Sequence, residues 1–344
     1  MKQRMIGLML VCILCTLTGC QNTVEEEAVV QEETTDAIQI GVSFDSFVIE
    51  RWQKDRDVFV STAKDLGAEV NVQNANGEVD EQIAQIEYFI EKKMDVIVIV
   101  CVDSESLSDV VKKARGEGIR IVCYDRLIRN ANADLYISFD NEMVGSMMAQ
   151  ALVDAGLPNK KVLMLSGPKT DNNVSMVESG FEKIMEENGV EIVDRMNAEG
   201  WKAELAGEYI NNHIDIVNSV DGIMCGNDNM ATSAIRALSE RRLAGKTAVV
   251  GQDADLEACQ HVVENTQVMT VYKPVEKLAE RAAQVAVALA KGEDMGETTS
   301  IYDGTYDVES IVLEPIAVTK ENIDEAIIDS GFHLREEVYL NIPE

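Results

Sequence analysis

Basic residues are scarce in this chain of 344 residues. Lysine and arginine number 30 against 61 aspartates and glutamates, which gives a formal net charge of −31 at pH 7. A protein that binds nucleic acid needs a basic face to release the counterions of the phosphates, and the sequence has none. An anionic membrane surface would repel the same charge, whereas such acidity favours a soluble monomer. We therefore exclude nucleic acid as a partner and expect a monomer.

Signatures of catalysis are also missing. No Ser/His/Asp or Cys/His arrangement is recognisable, and no glycine-rich phosphate loop of the GxGxxG or GxxxxGK[ST] type follows the first apolar run. The three histidines are scattered: His213, His261 and His333. The cysteines that follow the N-terminal region form no CxxC pair and no Cys/His spacing typical of a metal site, so we interpret them as small buried residues: Cys101, Cys123, Cys225 and Cys259. We expect no enzyme activity, no cofactor and no metal.

The N-terminal region has the features of a targeting segment. A short basic stretch precedes an apolar run at residues 5–19, which has the length of a signal peptide and is too short for a comfortable membrane span. The run ends in Leu-Thr-Gly-Cys, which resembles a bacterial lipobox with Cys20 as the lipid anchor. We therefore expect a lipoprotein signal peptide at 1–19, a disordered acidic tether at 20–37, and an extracytoplasmic protein anchored to the cell membrane, typical of a Gram-positive surface.

From residue 38 the sequence alternates between short β-branched runs and longer amphipathic segments. This alternation predicts parallel sheets that are covered by helices on both faces. About ten strands are too many for one comfortable open sheet of this length. A (β/α)₈ barrel would also contain alternating units, but two very short connections suggest that the chain changes domain instead. The prediction is an α/β fold with two doubly wound parallel-sheet lobes.

Polar residues follow almost every predicted strand. Ligands of doubly wound sheets bind outside the carboxyl ends of the strands, and forked carboxylate, amide and guanidinium groups can hold the vicinal hydroxyls of a sugar. An alternative stays open, because Asx residues are common helix N-caps, and it applies most to Asn141, Asn172 and Asp228. The strand-end residues are Asp45, Asn74, Asn76, Asp103, Asp125, Arg126, Asp140, Asn141, Asp171, Asn172, Asn173, Asn227, Asp228, Asp253 and Lys273.

The chain has two tryptophans, and each stands between a strand-like run and a helix-like one. Trp52 could be a core residue on the inner stripe of its helix. Alternatively, the flat faces of Trp52 and Trp201 could pack against the C–H bonds of a pyranose ring, one from each lobe. In that case Arg51 reaches the ligand, while the charged residues 54–57 mostly form a solvated helix face.

Several stretches resemble a known family. They include "ERWQKDRD", "AEVNVQNANG", "YISFDNE", "NDNMATSAIRALS", "GQDAD" and "TVYKP", and the resemblance extends from about residue 38 to 333. These stretches are similar to the ribose/galactose-type periplasmic sugar-binding proteins of ABC transporters, and within them to the D-xylose-binding group. The resemblance implies a type I periplasmic binding protein fold with three hinge strands. The implied lobes are 38–140 plus 274–305 and 141–273 plus 306–335.

The resemblance also implies the ligand and its partners. It implies D-xylose or a similar aldose held between the tryptophans and delivered to an ABC permease, or, as an alternative, a sensing module that presents its closed form to a membrane histidine kinase. The segment "CVDSES" departs from the family pattern, so it gives no support to a contact from Asp103. The implied ligand-binding residues are Arg51, Trp52, Asp125, Arg126, Asn172, Asn173, Trp201, Asn227, Asp253 and Lys273.

Overall fold

The computed structural model describes residues 37–342. The predicted signal peptide, the Cys20 anchor and nearly all of the tether lie outside the described residues. The strands are β1 (Ile38–Phe44), β2 (Ala68–Asn74), β3 (Val96–Ile99), β4 (Arg120–Tyr124), β5 (Leu135–Phe139), β6 (Lys161–Ser166), β7 (Glu191–Asn197), β8 (Gly222–Cys225), β9 (Ala248–Gln252), β10 (Met269–Tyr272), β11 (Thr299–Tyr302), β12 (Asp307–Leu313) and β13 (Ile316–Val318). The α-helices are α1 (Arg51–Asp65), α2 (Val79–Glu91), α3 (Ser108–Gly116), α4 (Asn141–Ala155), α5 (Asn172–Glu187), α6 (Glu204–Asn212), α7 (Ile214–Val217), α8 (Asp228–Glu240), α9 (Leu256–Val263), α10 (Val275–Lys291) and α11 (Arg335–Val338).

The first sheet has the strand order β11-β12-β5-β4-β3-β1-β2. All neighbouring pairs are parallel except β11 with β12. Helices α1 and α10 cover one face, and α2 and α3 cover the other. Strand β3 reads Val-Ile-Val-Ile because both its faces are buried: Val96 and Val98 belong to the core under α1 and α10, whereas Ile97 and Ile99 belong to the core under α2 and α3. A continuous apolar run is what a parallel strand covered on both faces requires.

The second sheet has the strand order β13-β10-β9-β8-β6-β7, and β13 is its antiparallel member. Helices α4 and α5 pack on one face, and α6 and α8 pack on the other. Glycine allows α4 and α5 to approach at backbone distance. A Cβ at Gly145 would overlap the carbonyl oxygen of Val177, and a Cβ at Gly180 would overlap that of Glu142. The helix pair therefore depends on both glycines.

The chain passes between the two sheets three times: after β5, after β10 and between β12 and β13. Two of these segments touch, since the Asp140 amide donates to the Leu313 carbonyl at 3.0 Å. Strand β12 belongs to the first sheet, although the sequence-based boundary assigned residues from 306 onward to the second lobe. Two separate open sheets confirm the predicted doubly wound lobes, and the barrel alternative is wrong. Within residues 37–342, no helix has both the length and the apolar character needed to cross a bilayer.

Candidate functional site

A cavity lies between the carboxyl ends of the strands of the two sheets. The empty space among its walls, including the open mouth, is about 470 Å³. The walls of the two lobes stand close together around this space. The lining residues of the first lobe are Ile49, Arg51, Trp52, Asp125 and Arg126. Those after the first crossing are Asn141, Ser166, Gly167, Asp171, Asn173, Val174, Val177, Trp201, Met224, Gly226, Gln252, Asp253 and Lys273.

The cavity brings together eight of the ten ligand-binding residues that the resemblance implies. Asn172 and Asn227 do not line it. The Asn172 side chain accepts a hydrogen bond from Arg129 at 3.3 Å, at the edge of the two lobes. The Asn227 side chain accepts from the Met230 amide at 3.0 Å and so caps helix α8.

Several strand-end polar residues do cap helices, but each cap lies one residue before the position that the sequence suggested. The capping side chains belong to Asp140, Asp171 and Asn227, each of which accepts a backbone N–H of the following turn. The alternative reading placed the caps one residue later, at Asn141, Asn172 and Asp228, and it is wrong there. Because the cap precedes the first helical residue, the residue after it begins the helix. In α4 that residue, Asn141, faces the cavity.

Trp52 lies at the start of α1 and is only 2% exposed. Two guanidinium groups pack against its indole, with the Arg51 Cζ 4.4 Å and the Arg126 Cζ 5.6 Å from the ring centroid. Such cations are attracted by the electron-rich face of the ring. The Trp52 Nε1 is buried and has no hydrogen-bond partner among the described residues. Trp52 is thus both part of the first core and a wall of the cavity.

Trp201 reaches the cavity from an irregular turn. It is 8% exposed and follows Gly200, and both residues have positive φ, 57° and 60° respectively. Positive φ is uncommon for a residue with a bulky side chain, so the surrounding contacts must hold this conformation. The indole lies against Gly167, where a Cβ would overlap the ring. Its Nε1 donates to Asp171 Oδ2 at 3.3 Å. One tryptophan from each lobe therefore lines the same cavity.

Arg51 is held by two carboxylates. Its Nη1 lies 3.0 Å from Asp125 Oδ2, and its Nη2 and Nε donate to Asp55 at 2.8 and 3.3 Å. Asp55 is 1% exposed and also accepts from the Tyr124 hydroxyl at 2.5 Å. Residues 54–57 were expected mostly to form a solvated face, and Asp55 is the exception, because it lies one turn after Arg51 on the buried face of α1. Its neighbour Asp57 is exposed as expected.

The charges around the cavity also set the state of Asp125. Burial by itself would raise the pKa of Asp125, but the positive charges of Arg51, Lys273 and Arg126 together lower it. For Asp55, burial raises the pKa, while the Arg51 charge and the donated hydrogen bonds oppose the rise. Asp125 is therefore a charged hydrogen-bond acceptor at the cavity wall at neutral pH.

Arg126 joins the two lobes. Its Nη1 donates to Asp45 at 2.8 Å and to the Cys101 carbonyl at 2.9 Å, and its Nε lies 2.7 Å from Asp171 Oδ2 in the second lobe. Burial raises the pKa of Asp45 and of Asp171, and the Arg126 charge opposes this effect in both. Asn173 makes a second connection, because its amide donates to the Asp125 carboxylate at 2.9 Å and to the Asp125 carbonyl at 3.0 Å.

The cavity wall formed by the second lobe contains an ion pair and two polar residues that sequence reasoning missed. Lys273 lies 3.1 Å from the Asp253 carboxylate. The missed residues, Ser166 and Gln252, are the last residues of β6 and β9, whereas only polar residues beyond the apolar runs were considered. Reading the final strand residue as well would have found both.

Several buried polar atoms of the cavity have no hydrogen-bond partner among the described residues. Buried polar groups are almost always paired, so a cluster of unpaired ones indicates a polar ligand or water. The lining atoms concerned are Trp52 Nε1, Arg126 Nη2, Ser166 Oγ and Gln252 Oε1. Across residues 37–342, no group of three or more His, Cys, Asp or Glu side chains is arranged to hold a metal ion.

This chain resembles known proteins both in sequence and in structure. Residues 40–294 match the model of the periplasmic binding protein domain. The chain is 43% identical over 307 residues to the D-xylose-binding periplasmic protein of Haemophilus influenzae, covering 88% of this chain and 92% of that protein. It is 42% identical over 306 residues to the protein of the same name in Escherichia coli, with the same coverage. A solute-binding protein of an ABC transporter from Clostridium phytofermentans, solved with bound β-D-glucose, matches with a TM-score of 0.79 at 26% identity, covering 87% and 99% of the two chains.

Proposed function

Because the chain belongs to the periplasmic binding protein family, we propose that it captures D-xylose or a similar aldose between its lobes and delivers it to an ABC permease. The observation that carries this proposal is that two indoles from opposite lobes line one cavity, whose walls also contain hydrogen-bonding atoms without a partner within residues 37–342. Relatives that are named for D-xylose binding, together with a solved neighbour that holds glucose, support the same class of ligand.

The chemistry of the walls suits a neutral polyol. The indoles of Trp52 and Trp201 offer flat faces for the C–H bonds of a sugar ring. Donors and acceptors are both present in the cavity wall, so a sugar hydroxyl can either accept or donate a hydrogen bond there. The donors are Arg51, Arg126 and Lys273, and the acceptors are Asp125 and Asp253. The wall charges are largely paired with one another, as in Arg51 with Asp125 and Lys273 with Asp253. A ligand therefore has no charge to neutralise.

Capture and release would use the hinge. A sugar that contacts both lobes stabilises the closed arrangement over the open one and so shifts the population towards it. A permease that recognises the closed pair of lobes then receives loaded protein. No step in this cycle breaks a covalent bond, and the carboxylates of the cavity act as hydrogen-bond acceptors. The protein works outside the cytoplasm, and we propose that Cys20 carries the lipid that anchors it to the membrane.

Tryptophan fluorescence provides a direct test. Titration with D-xylose should change the emission, because both tryptophans of the chain line the cavity. Trp201→Ala should weaken binding by about 1–3 kcal/mol, as measured by calorimetry, since truncation of a buried aromatic anchor has effects of this size. Tyr302→Ala is the matched control, because Tyr302 is 63% exposed on β11. If a panel of pentoses and hexoses gives neither heat nor a fluorescence change with the wild type, the proposal is wrong.

A further inference from the structure

A buried chain of polar side chains runs from the first sheet to the cavity. The Tyr124 hydroxyl donates to Asp55, Asp55 accepts two hydrogen bonds from Arg51, and Arg51 forms an ion pair with Asp125. Asp125 in turn accepts a hydrogen bond from Asn173 of the second lobe. Arg51 and Asp125 line the cavity, whereas Asp55 and Tyr124 do not. The last two therefore have no contact with a ligand in the cavity.

Asp55 fixes the plane of the Arg51 guanidinium. It binds the edge formed by Nε and Nη2, which leaves Nη1 for Asp125. This fork geometry is strongly directional. The Cζ of the same guanidinium lies 4.4 Å from the Trp52 ring centroid. A rotation of the Arg51 head group would therefore disturb the indole and the Asp125 ion pair together.

Stability alone does not account for a carboxylate at this position. A buried ion pair is expensive to desolvate, and well-packed apolar side chains of similar size are often as stable. Asp55 is almost completely buried, and its partners belong to or contact the cavity wall. Its position thus favours a role in the geometry of the wall.

We propose that Asp55, held by Tyr124, is a positioning residue for the ligand site, which acts on binding through Arg51. This inference rests on the proposed function, because the site that it positions is the sugar site. Its consequence is that a residue outside the cavity sets the affinity for the sugar.

The test is a double-mutant cycle measured by calorimetric titration with D-xylose. Asp55→Asn keeps the shape of the side chain but removes its charge and one acceptor, and it should weaken binding about tenfold, as expected for loss of a charge-assisted hydrogen bond. In an Arg51→Gln background the same change should alter affinity less than about twofold, because residues that act through one another are non-additive. Asp57→Asn on the exposed face of α1 is the matched control and should bind as the wild type does.

A merely structural role would give a different result. If Asp55→Asn binds normally, or if its effect is the same with and without Arg51, the inference is overturned. Circular dichroism and thermal unfolding show whether each variant is folded. Should Asp55→Asn not fold, Tyr124→Phe provides the same cycle with an expected loss of about threefold, since one neutral donor is removed. A wild type that binds none of the sugars in the panel contradicts the proposed function itself, whereas normal wild-type binding with an additive cycle contradicts this inference only.

Discussion

The two tryptophans of the cavity are held in place in different ways. Trp52 lies in a regular helix, with two guanidinium groups close to its ring and its Nε1 unpaired among the described residues. Trp201 lies in a turn with positive φ, over a glycine, with its Nε1 bonded to Asp171. Trp52 is thus held by the charges of Arg51 and Arg126, which we call its charged seat. Trp201 is held where Gly167 leaves space for its ring, which we call its spatial seat. Mutations can test the two environments separately, because different residues hold each tryptophan.

The largest effect is expected from the charged seat. Arg126→Met leaves Asp45 and Asp171 buried without their cation, and breaking a buried ion pair in this way costs about 3–5 kcal/mol of stability. Burial then raises the pKa of both carboxyls further, because the opposing charge of Arg126 is gone. A group whose pKa is raised in the folded state stabilises the fold below its unfolded pKa and loses that contribution as the pH rises. The free energy of unfolding that Arg126→Met loses relative to the wild type, which we call its deficit, should therefore be smallest near pH 4 and grow towards neutral pH.

Denaturant unfolding between pH 4 and pH 8 measures this deficit. Arg56→Met is the matched control, because Arg56 pairs with Asp57 at the surface of the same helix that carries Trp52, and surface pairs contribute little. A deficit of Arg126→Met that is small, or that shrinks as the pH rises, would contradict the idea that the Arg126 charge stabilises the wall beside Trp52.

A smaller effect is expected from the spatial seat. Gly167→Ala places a methyl group where the Trp201 ring now lies, and overpacking of this kind typically costs about 1–3 kcal/mol. Because the ring forms the cavity wall, the loss should appear in sugar affinity measured by calorimetry. Gly116→Ala is the control, since nothing lies within 4 Å of an added Cβ there. Unchanged affinity in Gly167→Ala would show that Trp201 does not need this space.

The same contrast explains how much the sequence could predict. The alternation of apolar runs predicted both sheets, and the polar residues beyond them predicted Asp125, Arg126, Asp253 and Lys273 at the cavity, because strand ends of a doubly wound sheet converge. The packing of Trp201 against Gly167 was not predictable, because nothing in the sequence around either residue indicates that the two are in contact. Asp55 was missed for a different reason: its neighbours in sequence are charged, and only the tertiary contact with Tyr124 shows that it is buried.

The smallest effect concerns the indole N–H groups. Trp201→Phe removes a donor from Asp171, and loss of one hydrogen bond typically costs about 0.5–1.5 kcal/mol. Trp52→Phe removes an N–H that has no partner among the described residues, so it breaks no hydrogen bond of the sugar-free protein. Both changes remove a similar volume from a buried aromatic side chain, and Trp52→Phe keeps an aromatic ring for Arg51 and Arg126, although a weaker cation–π partner. Unfolding measured without sugar should therefore show the greater loss in Trp201→Phe, and an equal or greater loss in Trp52→Phe would mean that the two seats do not differ in this respect.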